Sequence, residues 1–272
     1  MKLPGVASRR VAGGDINDAW EVELEDGTRA FVKTRADAPP GEYEAEAAAL
    51  RWLGEPGGVG VPAVLGASDE LLALEWLDES GAGDEAELGR GLAIVHGAGA
   101  ETFGGGAAAG GGGSAPLRIG RLTLPNDEAD DWPAFYAEQR LRPLIEPARL
   151  SPAGTRAVEA VCDRIHDLAG PAEPPARLHG DLWSGNVLWS GRPYVIDPIA
   201  YGGHREVDLA MLQLFGSPRP RFFAAYEDVA PLADGWRDRV PLYQLFPLLV
   251  HAALFGGGYG ASVERAARKY AA

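Results

Sequence analysis

The chain has 272 residues, 46% of them hydrophobic and 24% charged, a balance that allows one large domain or two lobes around a substantial core. Its formal net charge of −14 speaks against nucleic acid and anionic membrane as partners, because both are held by basic patches. Cys162 is the lone cysteine, so no internal disulfide forms; MKLPGVASRR has no apolar signal-peptide stretch and no run reaches bilayer length, so a cytoplasmic setting is expected.

Residues 6–34 read as strands. Gly13 and Gly14 fall between apolar segments, where they serve either a plain hairpin or a flap whose backbone N–H groups approach an anion. Asp26-Gly27 is a hairpin turn signal. From Thr28 to Thr34 the residues alternate, which puts Arg29, Phe31 and Lys33 on one face and Ala30 and Val32 on the other. A helix is predicted over 41–54, after the breaker Pro39-Pro40. On a wheel of ~100° per residue, Ala47, Leu50 and Leu53 fall near Tyr43. Glu46 lies roughly 60° from Tyr43, inside the apolar stripe, while Glu44 points outward. A glutamate on the buried side needs a cation, and Lys33 is the obvious one, with Glu44 as the fallback partner.

Val61–Leu65 and Leu71–Leu77 read as two further strands. A helix over 84–97 follows, with Asp84 as N-cap and Leu88, Leu92 and Val95 on one face. His96, in its last turn, reads as a packed or helix-end histidine. The stretch GGGAAAGGGGS at 104–114 has too many glycines for a cheap helix or strand and is expected to be a surface loop. Helices are predicted over 130–146, with Trp132, Phe135 and Tyr136 as core aromatics, and over 153–168. The tail, 231–272, reads as helical throughout, with Leu242, Leu245, Leu249 and Ala252 in a core-facing stripe, Gly256–Gly258 as a break and His251 as packing.

Between these helices lies LHGDLWSGNV, then an apolar strand and a second aspartate. Asp181 and Asn186 are spaced D-x4-N, and Asp197 follows eleven residues later. Phosphoryl transfer needs a carboxylate to take the acceptor hydroxyl's proton and oxygen ligands to hold magnesium on the phosphates. Asp181 suits the first task; Asn186 and Asp197 suit the second, since magnesium takes few, hard, oxygen ligands from protein. Each acid alone would also suit a turn or a cap. The protein-kinase catalytic loop uses the same D-x4-N spacing before a strand-borne aspartate. Here Asp197 stands in Asp-Pro-Ile rather than Asp-Phe-Gly, so the pattern is kinase-like without being that of an ordinary protein kinase.

The chain resembles the fructosamine kinase (ketosamine kinase) family, a branch of the aminoglycoside-phosphotransferase-like kinases. The words that carry the resemblance are LHGDLWSGNV at 178–187, IDP at 196–198, YGGHREVDLAM at 201–211 and LFG at 214–216. FVK at 31–33, YEAEAAAL at 43–50, IG at 119–120, WPAFYAEQRLRP at 132–143 and YQLFPLLVH at 243–251 extend it over nearly the whole chain.

The resemblance implies an α+β, bilobal, protein-kinase-like fold. A small antiparallel β lobe with one helix is expected over 1–78, and a mainly helical lobe over 79–272. It implies ATP with magnesium in the cleft, and phosphorylation at O3 of a ketosamine (a ribulosamine, erythrulosamine or fructosamine, free or on a protein lysine) in protein deglycation. A monomer is expected. Asp181 would be the catalytic base, with Asn186 and Asp197 on the metal. Lys33, held by Glu46, and the loop at Gly13 and Gly14 would meet the ATP phosphates, and backbone groups of Glu75, Trp76 and Leu77 the adenine. Some relatives carry a redox cysteine in that glycine loop; this chain has none. Trp183 would face the acceptor, while His179 and Asp208 support the catalytic loop. The alternatives are a kinase for another small alcohol, of aminoglycoside, choline or homoserine type, or a catalytically silent nucleotide-binding protein. Against silence, Lys33, Asp181, Asn186 and Asp197 are all present.

Overall fold

Alternation in the first part of the chain produces an antiparallel sheet. In the computed structural model, which describes residues 5–11, 17–81, 83–106, 115–216 and 218–271, its strands are β1 (Gly5–Val11), β2 (Asp18–Leu24), β3 (Arg29–Thr34), β4 (Val64–Ala67) and β5 (Leu71–Glu75). They are ordered β1-β2-β3-β5-β4. Gly27 turns the β2–β3 hairpin at φ 82°, a backbone region that glycine enters without penalty. The Asp26 carboxylate accepts the Thr28 N–H across that turn. Gly13, Gly14 and residues 107–114 lie outside the described residues.

The predicted helix forms as α1 (Glu42–Gly54) and lies on one face of the sheet. Tyr43, Ala47 and Leu50 pack there against Leu72 and Leu74 of β5. Burying each of the larger apolar side chains contributes roughly 1.5–3 kcal/mol. Ala30, Val32 and Ala73 form a separate cluster, with Trp20, Val22 and Leu24 packed against it. The strand expected at Val61 begins only at Val64. Pro62 has no N–H for a ladder, and the register shifts between Val64 and Gly66.

The remainder is mainly helical. Asp84 caps α2 (Glu85–Gly97) by accepting the Ala86 N–H at 3.0 Å. The helix expected at 130–146 runs as α3 (Trp132–Phe135), a π-helical stretch Tyr136–Leu141, and α4 (Arg142–Ile145). Pro143 has no N–H to return to the Gln139 carbonyl, and Arg140 Nη1 donates to that carbonyl instead, at 3.0 Å. The helix expected at 153–168 breaks at Arg164 into α5 (Pro152–Asp163) and α6 (Ile165–Leu168). α7 (Glu206–Leu214) and α8 (Pro220–Glu227) follow. The sequence did not announce α8; Phe222 and Tyr226 bury it against Leu88 and Leu92 of α2. The tail folds as α9 (Trp236–Tyr243), α10 (Leu245–Phe255) and α11 (Tyr259–Ala267), with the expected break at 256–258 and a further division after α9. Gly256 and Gly257, at φ 66° and 62°, separate the last two. Among the described residues no helix is long and apolar enough to cross a membrane.

Three short ribbons complete the helical part: β6 (Leu117–Ile119) with β7 (Leu122–Leu124), β8 (Ala176–Leu178) with β11 (Tyr201–Gly203), and β9 (Val187–Ser190) with β10 (Arg192–Val195). The last two flank the HGD segment, so Asp181 follows the end of β8 and Asp197 the end of β10, strands of different ribbons.

Candidate active site

β8 delivers the chain into the loop 179–186, and local hydrogen bonds fix that loop's shape. His179 donates from Nε2 to the Ile196 carbonyl at 2.9 Å, and its Nδ1 accepts the Asp181 N–H at 3.2 Å. Gly180 sits at φ +81°, and a Cβ there would stand 2.5 Å from the Ile199 carbonyl oxygen, so only glycine fits. Asp208, in the first turn of α7, accepts the His179 N–H at 2.7 Å and the Gly180 N–H at 2.9 Å. His179 and Asp208 thus brace the backbone that leads into the acid.

Asn186 donates from Nδ2 to the Asp181 carbonyl at 2.8 Å and to its Oδ2 at 3.2 Å. This fixes which way the amide points and leaves Oδ1 without a hydrogen bond among the described residues. Asp197 adopts φ +57°, unusual for a residue other than glycine though tolerated by aspartate. The turn brings its Oδ1 to 2.6 Å from Lys33 Nζ, while Glu46 Oε1 stands 2.8 Å from the same ammonium. Lys33 of β3 therefore joins α1 to the segment after β10. Burial alone would lower the Lys33 pKa; the Glu46 and Asp197 carboxylates more than offset it and hold the ammonium above the ordinary lysine value. Burial pushes the Glu46 carboxyl up, against the pull of Lys33. Burial also raises Asp181, against the pull of His179 and His251 and the Asn186 hydrogen bond, with Asp197 adding repulsion.

Among the described residues no group of three or more His, Cys, Asp or Glu side chains is arranged as a metal cage. The donors here are one carboxylate, Asp197, and one unengaged amide oxygen, that of Asn186. Such a sparse oxygen set fits magnesium, which keeps several waters and takes its other ligands from phosphates.

Other expected residues fall less centrally. The Glu75 N–H is spent on the Ala63 carbonyl at 2.8 Å and the Trp76 N–H on the Arg29 carbonyl at 3.3 Å. Leu77 keeps its N–H out of the described hydrogen bonds. Trp183 is 40% exposed, and its indole covers Gly185, where a Cβ would meet the ring at 2.2 Å. It does not line the small cavity beside Asp181, which is walled by Ile119, Ile199, Met211, Phe246, Val250 and His251. His251, read from the sequence as packing, also walls this cavity. Its Nδ1 donates to the Pro247 carbonyl at 2.8 Å, which leaves Nε2 as the free ring nitrogen. Phe215, Tyr259 and Phe255 surround the ring at 4.6, 5.1 and 5.5 Å, and Phe255 is 64% exposed. The one hint in the sequence is a polar residue inside the otherwise apolar helix α10. A cavity of about 490 Å³ lies elsewhere, beside Ala48 and Trp52 of α1, Arg177 and the 98–106 segment. Ala48 and Trp52 lie roughly 200° and 240° around α1 from Glu46, so this space is on the far face of the helix.

The chain matches the fructosamine kinase family over residues 5–272. A Thermus thermophilus protein provisionally named ketoamine kinase is 39% identical over 257 residues, covering 93% of this chain and 90% of the relative. A chloroplastic protein-ribulosamine 3-kinase of Arabidopsis thaliana is 34% identical over 264 residues, covering 93% of this chain and 78% of the relative. The crystal structure of a Thermobifida fusca protein provisionally named fructosamine-3-kinase has a TM-score of 0.89 to this chain at 46% identity, covering 97% of this chain and 93% of its own.

Proposed function

The chain belongs to the fructosamine kinase family, whose members use ATP to phosphorylate an alcohol, and from that premise we propose that its acceptor is a ketosamine phosphorylated at the sugar O3. One observation supports this reading most. Lys33 reaches Glu46 and Asp197 together, at 2.8 and 2.6 Å, next to the hydrogen-bonded Asp181–Asn186 pair.

Lys33 meets the ATP phosphates, and Glu46 keeps the ammonium charged and aimed. Leu77 offers its N–H to adenine at the hinge, which we place at the 78/79 boundary between lobes. Gly13 and Gly14 would close over the phosphates. Asn186 Oδ1 and Asp197 would hold magnesium, which would supply positive charge against the phosphate oxygens. Asp181 accepts the hydroxyl's proton, or orients that hydroxyl, from a position fixed by Asn186 and His179. Its raised pKa makes it a better base than an exposed aspartate. His251, with Phe215, Phe255 and Tyr259, walls the acceptor side, and Trp183 offers an indole face to the sugar. The exposed ring of Phe255 leaves that side open to an amine carried on a protein lysine, the acceptor of a cytoplasmic deglycation enzyme.

The test is ADP release with ATP, magnesium and ribulose-, erythrulose- and fructose-lysine side by side. Turnover of at least one supports the assignment. Phosphorylation of choline or kanamycin with none of the three would overturn it.

A further inference from the structure

Asp208 does not hold the catalytic loop unaided. Beyond the His179 and Gly180 amides, its Oδ2 lies 3.3 Å from Nε2 of His96, at the end of α2. The other ring nitrogen, Nδ1, is 2.7 Å from the hydroxyl of Tyr226 on α8. His96 is 3% exposed, and Tyr226 and Asp208 are both 0% exposed, so water cannot replace any of these bonds. A neutral imidazole satisfies both partners with one arrangement of protons: Tyr226 O–H donates to Nδ1, and Nε2–H donates to the carboxylate. The carboxylate can only accept, so Nε2 of the neutral ring must donate and Nδ1 must accept.

Geometry makes this more than core filling. The Asp208 oxygens fix two consecutive backbone amides, and the next residue is Asp181. Gly180 already occupies a left-handed conformation, so the loop has no regular secondary structure of its own to hold it. The His96 imidazole sets where Asp208 sits, the acceptor-only carboxylate sets which ring nitrogen carries the proton, and the Tyr226 hydroxyl holds the other.

We propose that His96 is a positioning residue for phosphoryl transfer, acting through Asp208 on the His179–Asp181 backbone, with Tyr226 holding its other ring nitrogen. This rests on the reading of Asp181 as the base.

The experiment compares His96→Leu, His96→Gln and Tyr226→Phe with the full-length wild-type enzyme. It measures kcat, KM for ATP, thermal unfolding, and amide hydrogen exchange at His179 and Gly180 without any acceptor. His96→Leu is expected to lower kcat about tenfold or more, with KM for ATP within about twofold, because small misplacement costs turnover before it costs binding. Exchange at both amides should rise about tenfold or more in the same variant. Glutamine can accept from Tyr226 and donate to Asp208 in the same order, so His96→Gln should stay within about threefold of wild type in both readouts. Tyr226→Phe should fall between. A His96→Gln variant as impaired as His96→Leu would overturn the proposal, since ring packing would then be the cause. A folded His96→Leu with wild-type kcat and exchange would overturn it too; if that variant does not fold, unchanged kcat and exchange in Tyr226→Phe does so. Exchange needs no acceptor, so a wild-type enzyme inactive on every ketosamine would remove the proposed substrate and leave the loop coupling to be read separately.

Discussion

Replacing Lys33 by methionine keeps a long side chain and removes the charge that joins α1 to the segment after β10. In the wild type, the Lys33, Glu46 and Asp197 side chains are 8%, 15% and 39% exposed. Breaking a buried ion pair from one side costs about 3–5 kcal/mol, because an uncompensated charge stays behind. Asp197 keeps access to water, so the lower figure, about 3 kcal/mol, applies. For a chain of this size each kcal/mol moves Tm by roughly 2–4 °C, which predicts a fall of about 6–12 °C at pH 8. The pH dependence has a definite sign. Burial already pushes Glu46 above its ordinary value of 4.5, and in the variant Lys33 no longer pulls it back. The folded state then holds a proton that the unfolded chain releases near 4.5, so the variant's stability falls as pH rises from that value through the raised folded one. In the wild type, the raised Lys33 value keeps its contribution intact throughout pH 5–8, since it is lost only above the ordinary lysine range. The gap between the two proteins should therefore narrow from pH 8 to pH 5. Thermal unfolding of both at the two pH values checks this. A gap below about 2 °C at pH 8, or one that does not shrink toward pH 5, would refute the argument.

Asp181→Asn should lower kcat by about 10²–10⁴ with ATP affinity by calorimetry little changed, and equal turnover would show that another group takes the proton. Because burial raises Asp181, the wild-type kcat/KM should be lost on acidification at a pH above the ordinary 3.8, and a limb at or below 3.8 would contradict the geometry. Gly180→Ala forces a side chain into a left-handed backbone against the Ile199 carbonyl and should cost at least about 1–2 kcal/mol, read as a lower Tm. Phe255→Ala should raise KM for the ketosamine several-fold and leave KM for ATP unchanged; the reverse pattern would move the acceptor away from the His251 wall.

The Lys33–Glu46 pair was legible because two local rules met. The helical wheel put Glu46 inside an apolar stripe, and a carboxylate there demands a cation. Lys33–Asp197 spans 164 positions, and no periodicity reports such a contact; the spacing of the HGD segment pointed to Asp197 through chemistry instead. α8 escaped notice because it is two turns long, opens on proline after Arg219, and has no side-chain cap. β4 began late because Pro62 removes a donor where alternation alone favoured a strand.

Polar residues in the core show where such reading stops. Sequence tells that a buried histidine must spend both ring nitrogens, but not on what. His96 reads as a packed helix end, and it is packed; its partners lie 112 and 130 positions further on, and α8, which supplies one of them, had not been foreseen. The end of β5 makes the same point from the backbone side. Side-chain identity matters little at Glu75–Leu77, so three consecutive N–H groups looked equivalent. Which are free depends on the pairing of β5 with its neighbours and on the residues flanking those strands. There Ala63 takes the Glu75 N–H and Arg29 the Trp76 N–H, which leaves the Leu77 N–H outside the described hydrogen bonds.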